Sequence, residues 1–454
     1  MSDLGADPQA LLAYVLDVAK RAGASAADAL FITGRSASVR VRLGETEKVS
    51  QARDKGVGLR VFVGDRSATT STSDLTRAAV EALVARTVKA AGVTAADPFA
   101  GLPDAALFDE PTTAADLELF DPDVAAFDAE RAIALALEAE AAALRQDPRL
   151  TNSEGAEMSW GDSALHLANS LGTYRERRSS NASLWTTPVA QDGDEKQRDY
   201  WWTSARHLAD LDGPEAVGEE AARRTLRRLG ARKPATCKVP VIFEAPVASS
   251  LLGALGGAIN GSALYKDASY LCGKLGATIA PAFVNVIDNP HIPRAPGSRD
   301  FDAEGLATRA TRVVEGGVLA SYLLDTYTAK KLGLASTRGA RRGLAGTPSP
   351  GASNFWMDNG DVSFDELIAS VERGLLVTET SGFGVNTVTG DYSQGVVGMW
   401  IEGGALAYPV HEATIASTLP RMWAAIDALA NDRDPRRGTS APSLRIAQMT
   451  IAGT

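Results

Sequence analysis

From Ala245 to Tyr265 the chain carries no charged residue, and this run limits what the rest can be. Such a segment either crosses a bilayer or is enclosed by protein. Its make-up decides between the two. Four Gly, three Ser, a Pro and an Asn give it a poor transfer energy into lipid. It is therefore expected as a tightly packed internal segment, and that demands a large core around it. A chain of 454 residues, 45% hydrophobic and 22% charged, can build one, in two or three domains.

The formal net charge of -10 sets a second limit. An acidic chain repels a phosphate backbone unless positive charge gathers on one face, so nucleic acid is not an expected partner. Only Cys237 and Cys272 occur, with no CxxC spacing. That fits a reducing compartment and excludes a disulfide scaffold or a zinc ribbon. The opening MSDLGADPQA lacks the basic and apolar regions of a secretory signal. The expected location is the cytoplasm, with no membrane partner.

The expected fold class is α+β. Residues 8–22 place apolar groups at helical spacing behind Pro8. DALFITG and SVRVRLG alternate as two half-buried strands, and GVGLRVFVGDRSATTST reads as two more joined at Gly64-Asp65. Ser73 or Asp74 is expected to cap the next helix, which ends at Gly92. After an acid-rich connector comes a helix near 125–145. ALHLANS then begins a second group of strands that includes Tyr200, Trp201 and Trp202, closed by a charged helix near 214–230. ARKPATCKVP (231–240) looks like a linker. This divides the chain into an N-terminal α+β domain with antiparallel strands and helices (1–235) and a C-terminal β-rich domain with Gly-rich hairpins (236–454).

VVEGGVLASY (313–322) and WIEGGALAYP (400–409) share Glu-Gly-Gly-x-Leu-Ala. Gly-Gly between β-like runs suits a tight turn with positive φ. The echo suggests a curled or closed sheet of antiparallel strands; common turn chemistry explains it equally well. Residues 333–353 form a long Gly, Ser, Pro and Arg loop. Arg338, Arg341 and Arg342 could bind acidic groups there, but a solvated basic loop is the plainer expectation for each.

No motif announces a catalytic centre. His166, His207, His291 and His411 are widely spaced, and His411-Glu412 meets Ile415 and Ala416 where a second His would have to stand. GxSxG, Walker A and GxGxxG patterns are absent. Cys272 reads as a small buried residue. Asp302, Glu304 and Asp391 lie in Gly-containing turns that capping explains.

A resemblance carries the reading further. The run SGFGVNTVTGDYSQGVVGMWIEGGALAYPVHEATIAS (381–417), with Gly384, Asn386, Thr389-Gly390-Asp391, Ser393 and Tyr408-Pro409-Val410, resembles the TldD/TldE (PmbA) peptidase family, once called modulators of DNA gyrase. Similar stretches at 301–333, 348–354, 441–453, 152–172 and 97–102 spread the likeness over nearly the whole chain. In this family the TldD subunit resembles a zinc peptidase with HExxxH and a later Cys. Here Gly253 and Ala254 stand at the His-Glu places and Ala258 at the second His place. DRDPRRGTSA, where the Cys ligand would fall, has no thiol.

The resemblance is thus to the TldE-like subunit, with no catalytic residue, metal or other cofactor of its own. It implies a heterodimer with a zinc-bearing TldD-like subunit, a homodimer of the isolated chain being the alternative pairing. The pair would enclose a chamber for unfolded peptides, which add as a strand to a sheet edge. Asn386, Thr389, Asp391 and Ser393 are expected to line the chamber or touch the peptide. Two competing expectations are a self-sufficient hydrolase using Ser393 or Cys272, and a regulatory protein acting in gyrase or toxin–antitoxin biology without peptidase activity.

Overall fold

The computed structural model describes residues 4–113 and 115–453. Helix α1 (Pro8–Arg21) starts where Asp7 accepts the Ala10 N–H at 3.0 Å, and Leu11, Leu12, Val15 and Ala19 form its buried stripe. The chain then runs β1 (Ala26–Arg42), β2 (Glu45–Val63), β3 (Arg66–Thr72), α2 (Arg77–Val93), α3 (Pro122–Ala125) and α4 (Ala129–Leu144). Strands β4 (Leu150–Asn169), β5 (Tyr174–Asp192), β6 (Glu195–Arg198) and β7 (Trp201–Ala205) follow, and then α5 (Pro214–Leu226). These strands form one antiparallel sheet in the order β3-β2-β1-β4-β5-β6, with β7 also on β5.

Three expectations change here. DALFITG and SVRVRLG belong to one strand, β1, because β2 and β4 pair with it along its length. Phe31 packs beneath α1 and α2, and Val39 and Val41 beneath α4. The polar middle of β1 is left uncovered between them, so its alternation fades although its ladder does not. ALHLANS ends β4 in this same sheet and opens no second group, while Tyr200 precedes β7. The cap of α2 is Thr76, whose side chain accepts the Ala79 N–H, and the helix runs through Gly92 to Val93. Asp74 instead accepts the Thr76 N–H at 2.9 Å.

The second half begins with β8 (Cys237–Phe243), α6 (Ala245–Ala258), α7 (Gly261–Leu264), β9 (Val286–Asp288), β10 (Thr311–Glu315), β11 (Val318–Leu319) and α8 (Thr326–Leu332). It continues through β12 (Ala340–Arg341), β13 (Ser349–Pro350), β14 (Phe355–Met357), α9 (Phe364–Ala369), β15 (Arg373–Ser381), β16 (Asp391–Glu402) and β17 (Ala405–Thr418). The last elements are α10 (Leu419–Ala424), β18 (Ile426–Leu429), β19 (Thr439–Ser440) and β20 (Leu444–Ala452). Strands β17-β16-β15-β8-β20 form a sheet that closes on itself through β17–β20, with β18 added on β20. A smaller sheet has the order β11-β10-β9-β14-β19.

Both Gly-Gly turns are real, with φ of +56° and +76° at Gly316-Gly317 and +56° and +74° at Gly403-Gly404. They close β10–β11 and β16–β17, which lie in different sheets, so the echo does not mark one repeated sheet. Nor are the sheets wholly antiparallel: β8–β15 and β14–β19 are parallel pairs. Parallel neighbours need a long crossover, and residues 244–372 supply it for β8 and β15.

The charge-free run forms α6 and α7, wedged between the closed sheet and the smaller one. Gly253, Gly256 and Gly257 each weaken α6 by about 1 kcal/mol relative to Ala. Fully buried Leu251, Leu252 and Leu255 offset this at about 2 kcal/mol each. Packing, not helix propensity, makes this helix. Among the described residues no helix is long and apolar enough to cross a membrane.

The loop expected to be solvated is instead a clamp between the halves. Arg342 is buried and pairs with Asp28 of β1, which also holds Arg60, and Arg338 is buried against Glu110. Arg341 stays exposed on β12. The reason is local space: Gly58 lets the Leu344 carbonyl approach so closely that a Cβ there would sit 1.9 Å from its oxygen. Leu30, Leu167 and Phe301 add an apolar contact across the same junction.

Candidate functional site

Helix α6 presents an open face of Ser250, Gly253 and Gly257, with Ala254 half-buried beside them. Nothing lies within 4 Å of where a Gly253 Cβ would stand. Ala258 points into the core and is fully buried. The segment preceding β20 packs directly on this helix: the Ala441 N–H donates to Ser249 Oγ at 3.1 Å and the Ala245 N–H to Ser443 Oγ at 2.9 Å. The structure therefore does bring together the two stretches that the resemblance makes ligand positions. Neither carries an imidazole or a thiol, so their donor set does not fit a metal.

The turn between β15 and β16 is held by its own side chains. Asn386 Oδ1 accepts the Val388 and Thr389 N–H groups at 2.9 and 3.3 Å. Thr389 Oγ1 donates to Asp391 Oδ2 at 2.6 Å. The Ser393 N–H donates to the Gly384 carbonyl at 2.7 Å, a contact that leaves no room for a Cβ at Gly384. The Tyr270 N–H ties the turn to the α6 side through the Thr387 carbonyl, and a Gly257 Cβ would stand 3.9 Å from Thr387 Cγ2. Asn386 and Thr389 on the turn, and Asp391 and Ser393 at the start of β16, thus lie together and exposed beside α6. Phe383, at the start of the turn, is fully exposed and Val388 is half exposed.

The histidines do not converge. His166 Nδ1 meets the Tyr174 hydroxyl at 2.9 Å, His207 Nε2 the Glu118 carbonyl at 2.8 Å, and His291 Nε2 Thr308 Oγ1 at 3.0 Å. His411 is beside Glu412, which pairs with Lys233 at 2.5 Å. None of these partners is Ser393 or Cys272. Burial raises the Cys272 thiol pKa, and its Sγ faces the Leu264 carbonyl at 3.7 Å. The thiolate that would act as nucleophile is disfavoured there. Among the described residues no group of three or more His, Cys, Asp or Glu is placed to hold a metal ion.

Two charged groupings escaped the sequence reading. The carboxylates of Asp302 and Glu304 do serve their turns: Asp302 Oδ1 accepts the Glu304 and Leu306 N–H groups, and Glu304 Oε2 accepts from the Thr326 N–H and hydroxyl. Both are also buried, which raises their pKa values; Asp302 and Asp325 nearby push Glu304 further the same way. The second grouping is a ladder of rings and guanidinium groups beside the N-terminal end of α6. Arg224 lies 5.1 Å from the Trp201 ring, Arg436 5.5 and 5.7 Å from Trp201 and Trp202, and Arg437 4.7 Å from Trp202. The paired Trp and paired Arg residues were its only local signal. Their meeting is a long-range event between β7, α5 and the loop before β19.

Three family models match in order: PmbA/TldA metallopeptidase domain 1 over residues 27–91, the central domain over 122–229 and the C-terminal domain over 236–453. The first two matched segments share the seven-stranded sheet. Metalloprotease PmbA of Escherichia coli O157:H7 is 38% identical over 418 residues, 92% of this chain and 90% of that protein. The Metalloprotease PmbA homolog of Haemophilus influenzae is 36% identical over 447 residues, 97% of this chain and 95% of that one. A crystal structure described as a modulator of DNA gyrase, from Bacteroides thetaiotaomicron, has a TM-score of 0.91 at 30% identity, covering 98% and 99% of the two chains. TldE from Thermococcus kodakarensis shares the fold, with a TM-score of 0.85 at 19% identity and coverage of 98% and 100%.

Fold and domain order together define a metallopeptidase-type α+β chain. The chain belongs to the PmbA/TldD metallopeptidase family.

Proposed function

We propose that this chain is the metal-free subunit of a two-subunit peptidase acting on unfolded or short peptides. One observation carries the reading: in a metallopeptidase family member, helix α6 has Gly253 and a core-facing Ala258 at the places of the two imidazoles and Ala254 at that of the Glu. A TldD-like partner brings the zinc and its hydrolytic chemistry. This chain completes the chamber, and its part is to bind, orient and shield the peptide. The self-bonded turn with Asn386, Thr389, Asp391 and Ser393 forms part of the wall beside α6. Barrel closure leaves strand addition only the sheet edges outside the closed ring.

The test is an assay of the purified chain, alone and with a TldD-like subunit, on an unfolded peptide, together with elemental analysis. Activity that needs the partner, and no stoichiometric zinc in the isolated chain, is the expected result. One zinc per chain, with activity lost on its removal, overturns the reading.

A further inference from the structure

The Trp–Arg ladder borders a cavity of about 160 Å³ lined by Tyr200, Trp202, Ser250, Thr378, Thr380 and Arg437, among others. Its arginines are unequally partnered. Arg224 pairs with Glu244 at 3.2 Å, and Arg436 grips Asp434 through two bonds at 2.8 and 3.0 Å. Arg228 pairs with Glu379 at 2.6 Å and lies 3.7 Å from Asp199. Arg437 is different. Its Nε is buried bare, as are those of Arg224 and Arg228, but among the described residues its guanidinium also has no hydrogen-bond or ion-pair partner. Burial lowers its pKa; Asp434 acts against this but is already taken by Arg436, while Arg436 and Arg224 add like-charge repulsion. A half-buried, planar, five-donor cation laid on a Trp face with nothing to donate to is a vacant anion site.

We propose that this cavity binds the free C-terminal carboxylate of a peptide, with Arg437 as its anchor and Trp202 holding the guanidinium flat. Asp199 and Glu379 also stand on the cavity wall, so a singly charged anion is repelled less there than a dianion such as phosphate. Of the wall hydroxyls, Ser250 donates to the Val247 carbonyl at 2.6 Å and Thr378 to the Val397 carbonyl at 3.3 Å, which leaves Thr380 as the further donor to a carboxylate. The cavity volume is close to the ~150 Å³ that holds a benzene-sized group, which is room for one terminal residue. Ser250 is also on the α6 face, which puts the anchored end one helical turn from Gly253. The identity of the anion as a peptide end rests on the function proposed above. Anion binding itself is a property of this chain alone.

The experiment is calorimetric titration of the full chain, without partner, using a short N-acetylated peptide ending in Leu as free acid and as amide. Charge-assisted hydrogen bonds predict that amidation weakens binding about tenfold or more, and that Arg437→Gln removes the difference between the two peptides. Equal binding of acid and amide by the unaltered chain overturns the proposal, whatever the variant does. So does equal affinity for an amidated peptide with an internal Glu, which assigns the cavity to acidic side chains. Displacement of the free-acid peptide by inorganic phosphate at matching concentration also refutes it, since the site is then a general anion trap. Because no arm uses the partner or measures hydrolysis, failure of the two-subunit reading leaves this result interpretable on its own.

Discussion

Glu304 accepts two hydrogen bonds from Thr326 and sits fully enclosed near Asp302 and Asp325, where its negative charge is costly. Its folded-state pKa is raised above the ordinary value, first by burial and then by those carboxylates. Folding therefore takes up a proton over the interval between the two values. The sign follows: the stability linked to this group is full below the ordinary carboxylate range and is lost as pH rises through the raised pKa. Glu304→Gln keeps an acceptor for Thr326 and cannot ionise. The variant should show a flatter melting temperature than the parent between about pH 5 and pH 9, with its advantage at the alkaline end; parallel profiles would contradict this. Asn386 offers a contrast, since it is exposed and its side chain bonds only its own turn. Asn386→Ala should cost about 1 kcal/mol by thermal unfolding. If the turn borders the peptide path, turnover by the complex should fall further, about tenfold or more. Losses of matching size in both would make Asn386 purely structural.

Elements in this chain differ in how far a neighbour has moved in upon them, and two glycines measure it. A Cβ at Gly58 in β2 would meet the Leu344 carbonyl at 1.9 Å, whereas one at Gly253 in α6 would meet nothing within 4 Å. Gly58→Ala should loosen the clamp loop and destabilise by about 2–3 kcal/mol, read by denaturant unfolding. Gly253→Ala should stabilise by about 0.5–1 kcal/mol, since it only relieves helix entropy. A similar effect of both would show that the β2 contact is slack. The same distinction explains what the sequence revealed. Helices α1 and α4, the β2–β3 hairpin and both Gly-Gly turns follow from short-range rules, and each stands near its expected place. The continuity of β1 and β4, the closure through β17–β20 and the parallel β8–β15 pair depend on partners far along the chain. The same holds for the site. The Asn386 turn was legible because it is local, but the burial of Arg338 and Arg342 and the Arg437 ladder needed two halves of the chain in contact.

At the scale of the whole molecule, exposed large apolar side chains are scattered over both halves, and Phe383 is the most exposed of them among the described residues. Phe383 is fully exposed at the start of a turn whose backbone is pinned by Asn386, Thr389 and the Gly384–Ser393 contact, with Val388 exposed on the same turn. Single exposed apolar residues are ordinary on protein surfaces. A Phe on a preorganised turn differs, because it can bury ~150–250 Å² in a partner with little ordering cost. The two-subunit reading supplies the surface: this turn flanks the α6 face that the partner has to complete. Phe383→Ala should therefore weaken association with a TldD-like subunit about thirtyfold or more, measured by sedimentation or titration, as expected for an anchor worth about 2 kcal/mol. The melting temperature of the isolated chain should hardly move, because Phe383 touches little in the monomer. Arg338→Ala is the control: it removes a buried guanidinium and its pairing with the half-exposed Glu110 between the halves, lowers stability, and leaves the turn and its anchor in place. If Phe383→Ala lowered stability but not affinity, the turn would belong to this chain's own core, and the partner would have to dock elsewhere.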